Sequence, residues 1–272
     1  MAAPLERVEL VSVAQYIKKE EDGNDAETWR VVLNSADETP AYLKLTDNPH
    51  HTLAELVSAQ IGRALKLPIP KPYIALVHET DLPESSKYAG TNPNTRYAFA
   101  CAQFGKNPMN CSRKYNQNNS AFAKILADWQ GLNNARSFDE YIANEDRNLG
   151  NLIYSPESKE IGLIDHGRSL TGSYWPVWGL SDAQRAVNNN LLANHDRLSI
   201  NDKERLRAIC NDLMKKVSKI DIASLDQDGH FERLGGVVPK QEIVNFLTQR
   251  INFTVTLLCQ RIGLPELNIT TH

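Results

Sequence analysis

The stretch FDEYIANEDRNLGNLIYSPESKEIGLIDHGRSL, residues 138–170, places Asp146 and Asn151 five residues apart and sets Asp165 at the end of a later apolar run. NLIYS (151–155) and EIGLID (160–165) read as two short strands around an SPESK turn. Asp and Asn are ordinary turn formers, so a single D-x₄-N says little. The full order is more specific: helix, DRNLGN, strand, turn, strand, DHG. A carboxylate directly after Leu163 and Ile164 is a charge at the end of an apolar strand, and such a charge needs a partner or a metal. Three oxygen-bearing side chains on two adjacent turns suggest a site that holds metal and phosphate.

The rest of the chain bounds what surrounds this site. Its 272 residues suffice for one large domain or two lobes. Apolar residues make up 41% and the net charge is −3, so nothing advertises nucleic acid or an anionic membrane as partner. No run approaches ~18 apolar residues, so membrane insertion is not expected. MAAPLERVELVS lacks the apolar stretch of a secretory signal. Cys101, Cys111, Cys210 and Cys259 are scattered, with no CxxC pair. Reduced thiols and a cytoplasmic location are expected.

The first hundred residues are strand-rich. VELVSVAQYI (8–17), TWRVVLN (28–34) and PAYLKL (40–45), separated by DGND and SADE, read as antiparallel hairpins. HTLAELVSAQIGRALKL (51–67) then carries Leu53, Leu56, Val57, Ile61, Ala64 and Leu65 at helical spacing, and Pro68 and Pro70 end it. KPYIALVHE (71–79) and TRYAFACAQF (95–104) are strand-like again. KNPMNCSRKYNQNN (106–119) reads as a mobile connection. Residues 120–134 and 137–145 read as helices, and after 180 the chain is mostly helical, notably 202–220 and 240–263. The expected fold class is α+β, with a β-rich part over residues 1–104 and a helical part over 105–272.

Phosphoryl transfer to a hydroxyl asks little of a protein beyond a carboxylate at the acceptor and oxygen ligands for Mg²⁺. IANEDRNLGNLIY…IGLIDHG resembles the catalytic and metal-binding segments of HipA-like kinases and, more distantly, those of phosphatidylinositol kinases. The resemblance implies one two-lobed protein-kinase-like domain, with an antiparallel β-rich N-lobe and a mainly helical C-lobe. It implies ATP and Mg²⁺ as cofactors, Asp146 as catalytic base, and Asn151 and Asp165 as metal ligands. Arg147 matches the Arg after the catalytic Asp. Asn148 stands where His is common, and His166 where Phe is common. In the same resemblance Lys44, within AYLKL, would hold the nucleotide phosphates, and Glu55 would pair with it. The helical wheel opposes this for Glu55, which points away from the Leu53/Val57/Ile61 stripe and fits a solvated residue equally well.

Other features are weaker. There is no G-x-G-x-x-G and no G-x-x-x-x-G-K-[ST], so neither a Rossmann site nor a P-loop is present. The turn containing Gly23 could cover phosphates, but its acids would repel them. The strand around Phe99 to Gln103 would enter the hinge where backbone groups meet adenine. His50 and His51 read as a solvated turn at a helix start, His195 as a surface residue, and Cys101 as a small core residue. Trp175 and Trp178 fit either an activation segment or an aromatic packing loop, and Ser112 and Ser120 are candidate autophosphorylation sites.

The implied reaction is transfer of the ATP γ-phosphoryl group to a hydroxyl, foremost Ser or Thr of a protein, and it leaves room for an inhibitory protein partner. A lipid or small-molecule kinase would use the same site with another acceptor. A nucleotide-binding pseudokinase would bind without turnover. An aminoglycoside-phosphotransferase-like enzyme lacks support, because Asn144-Glu145 stands where that group has its His-Gly lead-in.

Overall fold

The structure, a computed structural model, describes residues 2–20, 25–90, 94–112, 120–172, 177–235 and 240–265. Gly23, Trp175 and the side chains of Trp178 and Ser120 lie outside the described residues. The fold mixes sheets and helices. Strands β2 (Glu9–Lys19), β3 (Glu27–Leu33), β4 (Thr39–Leu45), β5 (Pro72–His78) and β6 (Thr95–Ala102) form a closed barrel in the order β2-β3-β4-β6-β5. The purely antiparallel sheet expected from the hairpins is corrected here. The closing seam is parallel, with Glu9 to Ser12 of β2 paired to Tyr73 to Leu76 of β5. Parallel partners cannot share a tight turn, so the crossover carries helix α1 (Pro49–Ala64) between them.

Side-chain alternation divides the barrel wall. Val31, Leu33, Leu43, Leu45, Ala75, Val77, Ala98 and Ala100 fill its interior. The intervening residues point outward, and there Ile74 and Phe99 join the second core cluster together with Leu53, Leu56, Val57 and Ile61 of α1. Asn48 caps α1 by accepting from the His50 and His51 amides, with Pro49 opening the helix. Residues 51–62 of α1 are all buried, so the helix has no solvent face.

Beyond the barrel, β7 (Met109–Asn110), β8 (Leu152–Ser155) and β9 (Glu160–Leu163) form an antiparallel sheet. Met109 and Asn110 fall in the stretch expected to be a mobile connection; they pair instead with Tyr154 and Ile153. The two helices expected over 120–134 and 137–145 are α2 (Ser120–Ala127) and α3 (Leu132–Tyr141), with the break moved forward to a turn ending at Gly131. Residues 177–199 hold only single 3₁₀ turns before α4 (Ile200–Val217), which Ser199 caps through the Asp202 amide. After it come the short β10 (Ile220–Asp221), helix α5 (His230–Arg233) and the long helix α6 (Lys240–Ile262).

The first residues of the chain are tied to its C-terminal part. Strand β1 (Ala3–Pro4) pairs parallel with β10, the Leu5 amide donates to Ser224 Oγ at 2.8 Å, and His230 Nε2 meets the Val8 carbonyl at 2.9 Å. Leu5 and Val8 are buried in the same core as α1 and α3.

Glu27 pins the opening of β3. Trp29 Nε1 and Ser86 Oγ donate to its Oε1, and Lys19 Nζ and the Lys87 amide to its Oε2. Burial alone would raise its pKa, but these four donors hold it down at about 2, against an ordinary 4.5. A depressed carboxylate contributes stability above its unfolded pKa and loses it as pH falls toward its folded pKa. Glu27→Gln should therefore cost on the order of 3 kcal/mol at pH 6–7. That difference should shrink as pH drops from about 4.5 to about 2, as read by urea denaturation of both proteins across the range.

Candidate active site

The alternation that puts Leu43 and Leu45 inside the barrel sends Tyr42 and Lys44 to its outer wall, beside Phe99 and Cys101 of β6. These four side chains form one wall of a cleft of about 670 Å³. The opposite wall comes from the β7-β8-β9 sheet and its turns: Asn110, Asn151, Ile153, Leu163, Asp165 and His166. Ile69, Phe104 and Met109 give it an apolar end. This size and this mix of apolar walls with a few polar groups suit a small-molecule ligand.

Lys44 crosses the cleft. Its ammonium donates to Glu55 Oε1 of α1 and, at 2.9 Å, to Asp165 Oδ1 of the DHG turn. Burial would lower the Lys44 pKa, but the charges of Asp165 and Glu55 reverse that and raise it above its ordinary value. The Glu55 carboxyl, resisted by its burial, is held well below the usual range by Lys44 and by a hydrogen bond from His166. Its Oε2 accepts the His166 amide at 2.9 Å. The solvated Glu55 suggested by the helical wheel is thus replaced by a side chain 2% exposed, because α1 is covered on every side.

Asn151 and Asp165 line the cleft, Asp146 adjoins Asn151, and a buried cation ties the turns that carry all three. Arg147 has no exposed surface. It pairs with the equally buried Asp139 of α3 (Nε–Oδ2 3.1 Å) and donates to the carbonyls of Asn151 (2.9 Å) and Ile164. One guanidinium therefore joins the helix, the 146–151 turn and the strand end before Asp165. Asn144, also buried, donates to Asp139 Oδ1 at 2.9 Å and accepts the Asp146 amide at 3.2 Å. Asn151 donates its amide nitrogen to the Asp146 carbonyl at 2.6 Å, which leaves its amide oxygen as the acceptor atom. Asp165 sits at φ +58°, a left-handed conformation Asp tolerates, and its carboxylate is 45% exposed. Asp146 is 35% exposed.

His51, expected in a solvated turn, is 3% exposed and packs under the DHG turn, where a Cβ on Gly167 would lie 2.0 Å from its Nε2. That contact requires glycine after His166. Burial lowers the pKa of both His51 and His166; for His166 the Arg147 charge adds to it. His166 packs edge-on against Phe138. Cys101 lines the cleft, but burial pushes its thiol up to about 12, so it is no nucleophile. His195 is partly exposed, and Ser112 lies at the cleft wall. The sequence reading passed over Asp139, Asn144 and Arg168. Arg168 Nε lies 2.9 Å from Asp25 Oδ2 and 3.9 Å from Asp146 Oδ2.

Removing one member of a buried ion pair leaves the other uncompensated. Arg147→Met should destabilise the protein by about 3–5 kcal/mol. Arg147→Met combined with Asp139→Leu should cost less than the sum of the two single changes, the coupling being read from urea denaturation as a double-mutant cycle.

The family model for HipA-like kinases matches residues 34–219, more than half of the chain and the span containing Lys44, Glu55 and the 146–165 turns. Among curated proteins no match is found. Among solved structures, the crystal structure of a Helicobacter pylori proinflammatory kinase, CtkA, is similar over 93% of this chain and 99% of that one, with a TM-score of 0.53 and 13% identity. At that identity the likeness concerns the fold. The chain belongs to the HipA-like kinase family and is a phosphotransferase.

Proposed function

We propose that the chain transfers the γ-phosphoryl group of ATP to a hydroxyl, that of Ser or Thr in a protein. The observation that carries this reading is the ion pair of Lys44, itself bound to Glu55, across the cleft to Asp165, with Asn151 on the same wall as Asp165 and bonded to the Asp146 carbonyl. In this reading the barrel with α1, residues 1–104, is the N-lobe of a two-lobed kinase-like domain. Residues 105–272 are the C-lobe, and the cleft between them takes the nucleotide. The apolar end at Ile69, Phe104 and Met109 suits a purine ring.

Each residue then has a task. Lys44, kept charged by its two carboxylates, holds phosphate oxygens, and Glu55 fixes its ammonium. Asp146 accepts the proton of the acceptor hydroxyl, and its exposure leaves it within reach of a substrate. Mg²⁺ fits the donor set: a half-exposed carboxylate on Asp165 and the free amide oxygen of Asn151 are hard oxygen ligands. The ion would supply charge neutralisation at the phosphates. Among the described residues no helix is long and apolar enough to cross a membrane. No disulfide joins Cys101, Cys111, Cys210 or Cys259, in keeping with a cytoplasmic location in this reading.

The test is ATP consumption with Mg²⁺ by the purified chain, with added phosphate read by intact mass. Asp146→Ala and Asp165→Ala should each lower turnover at least about a hundredfold. Lys44→Met should raise KM for ATP and lower turnover. Nucleotide binding without turnover across protein, lipid and small-molecule hydroxyl acceptors would replace this reading with that of a nucleotide-binding partner module.

A further inference from the structure

The cations near the transferred group form a short account. Lys44 is shared between Glu55 and Asp165. Arg147 is buried and committed to Asp139 and two carbonyls. Asn148, two residues after Asp146, is neutral, and its side chain is spent inside the turn: Oδ1 accepts the Gly150 amide at 2.7 Å and Nδ2 donates to the Asp146 carbonyl at 3.1 Å. A phosphoryl group leaving one oxygen for another carries negative charge on its outer oxygens, and that charge needs a donor pointing at it.

Arg168 is placed to supply one. It follows the DHG turn directly, and its guanidinium lies between Asp25, at 2.9 Å, and Asp146, at 3.9 Å. The main chain beneath it is fixed. The Arg168 carbonyl accepts the Glu145 amide, the Ser169 amide donates to the His166 carbonyl, and Ser169 Oγ lies 2.7 Å from Ser58 Oγ of α1. Its side chain is 37% exposed, so it can turn toward a ligand without crossing packed core. Asp25 is held too, its carbonyl accepting from Thr46 Oγ1 at 2.9 Å, so the Asp25 carboxylate keeps the guanidinium at the cleft mouth.

We infer that Arg168 is a catalytic residue that hydrogen-bonds the γ-phosphoryl oxygens during transfer. This deepens the proposed function and rests on it. The acceptor oxygen forms its bond to the γ-phosphorus, the bond from that phosphorus to the β,γ-bridging oxygen breaks, and ADP departs with the electron pair. The hydroxyl proton passes to Asp146. Arg168 forms no covalent bond; its N–H groups carry the charge on the phosphoryl oxygens while both outer bonds are partial.

Binding of Mg·ADP with and without aluminium fluoride, which mimics the planar phosphoryl group, separates this role from a structural one. The full chain should bind the fluoride complex far more tightly than Mg·ADP alone. Arg168→Ala should bind Mg·ADP within about threefold of the parent, yet lose about a hundredfold of the fluoride-dependent tightening, with a matching loss in kcat and little change in KM. Arg168→Lys should recover part of both, and Arg168→Gln guards against a folding defect peculiar to alanine. Asp25→Asn, which breaks the ion pair and leaves the cation, should lose far less than Arg168→Ala. Undiminished tightening in Arg168→Ala overturns the inference while leaving the kinase reading intact. An equal loss in Asp25→Asn also overturns it, since Arg168 would then act only as a tie. Failure of the unmodified chain to bind Mg·ADP at all overturns both.

Discussion

A guanidinium with no exposed surface must find protein acceptors for its donors, and Arg147 finds them in three separate pieces of chain. Losing hydration is costly for a charged group, so the arrangement holds only if all three pieces stay in place together. Asp139 supplies the countercharge from α3. The carbonyls of Asn151 and Ile164 come from the two turns that carry the oxygen-bearing side chains of the site. The separation of Asp146, Asn151 and Asp165 is thereby set by a group that faces away from any substrate. Preorganisation of this kind is what phosphoryl transfer demands, because positioning and electrostatics do most of its chemistry.

A second polar tie joins this assembly to the barrel. Glu55 uses one oxygen for Lys44 and the other for the His166 amide, so a single carboxylate relates β4, α1 and the DHG turn. Helix α1 can hold an acid there because its neighbours cover it all round and both oxygens are satisfied. His51, one turn earlier on the same face, presses on Gly167 and leaves no room for a side chain at that position. The left-handed backbone of Asp165 lies between these contacts, held from the Arg147 side and from the α1 side alike.

Much of this was legible in the residues. The β-branched and aromatic residues of β3 and β4 and the helical period of α1 with its prolines are local signals, and these elements form where they point. What was missed depends on distant pairings. Barrel closure joins Glu9 with Tyr73, and no local pattern in either segment encodes a parallel partner. Asp25 and Arg168 are 143 residues apart, and each alone looks like a solvated charge. The wheel misjudged Glu55 and the turn propensity misjudged His51 for one reason: both assume that a helix has a wet side, and α1 has none. Asp139 escaped notice because an acid beside Phe138 and Glu140 reads as surface until Arg147 is seen beneath it.

The pairing of the first residues with those after α4 bears on how the chain acquires its structure during synthesis. Every barrel strand lies within the first 102 residues, so that sheet can close while the ribosome is still making the helices. The bonds from Leu5 to Ser224 and from Val8 to His230 span 219 and 222 residues. These bonds of Leu5 and Val8 therefore form only after the chain beyond α5 has emerged. Contacts of such separation are closed late, because the loop entropy is lost before the contact repays it. For that interval β1 lacks its β10 partner and presents an unpaired edge, the kind of surface that chaperones engage.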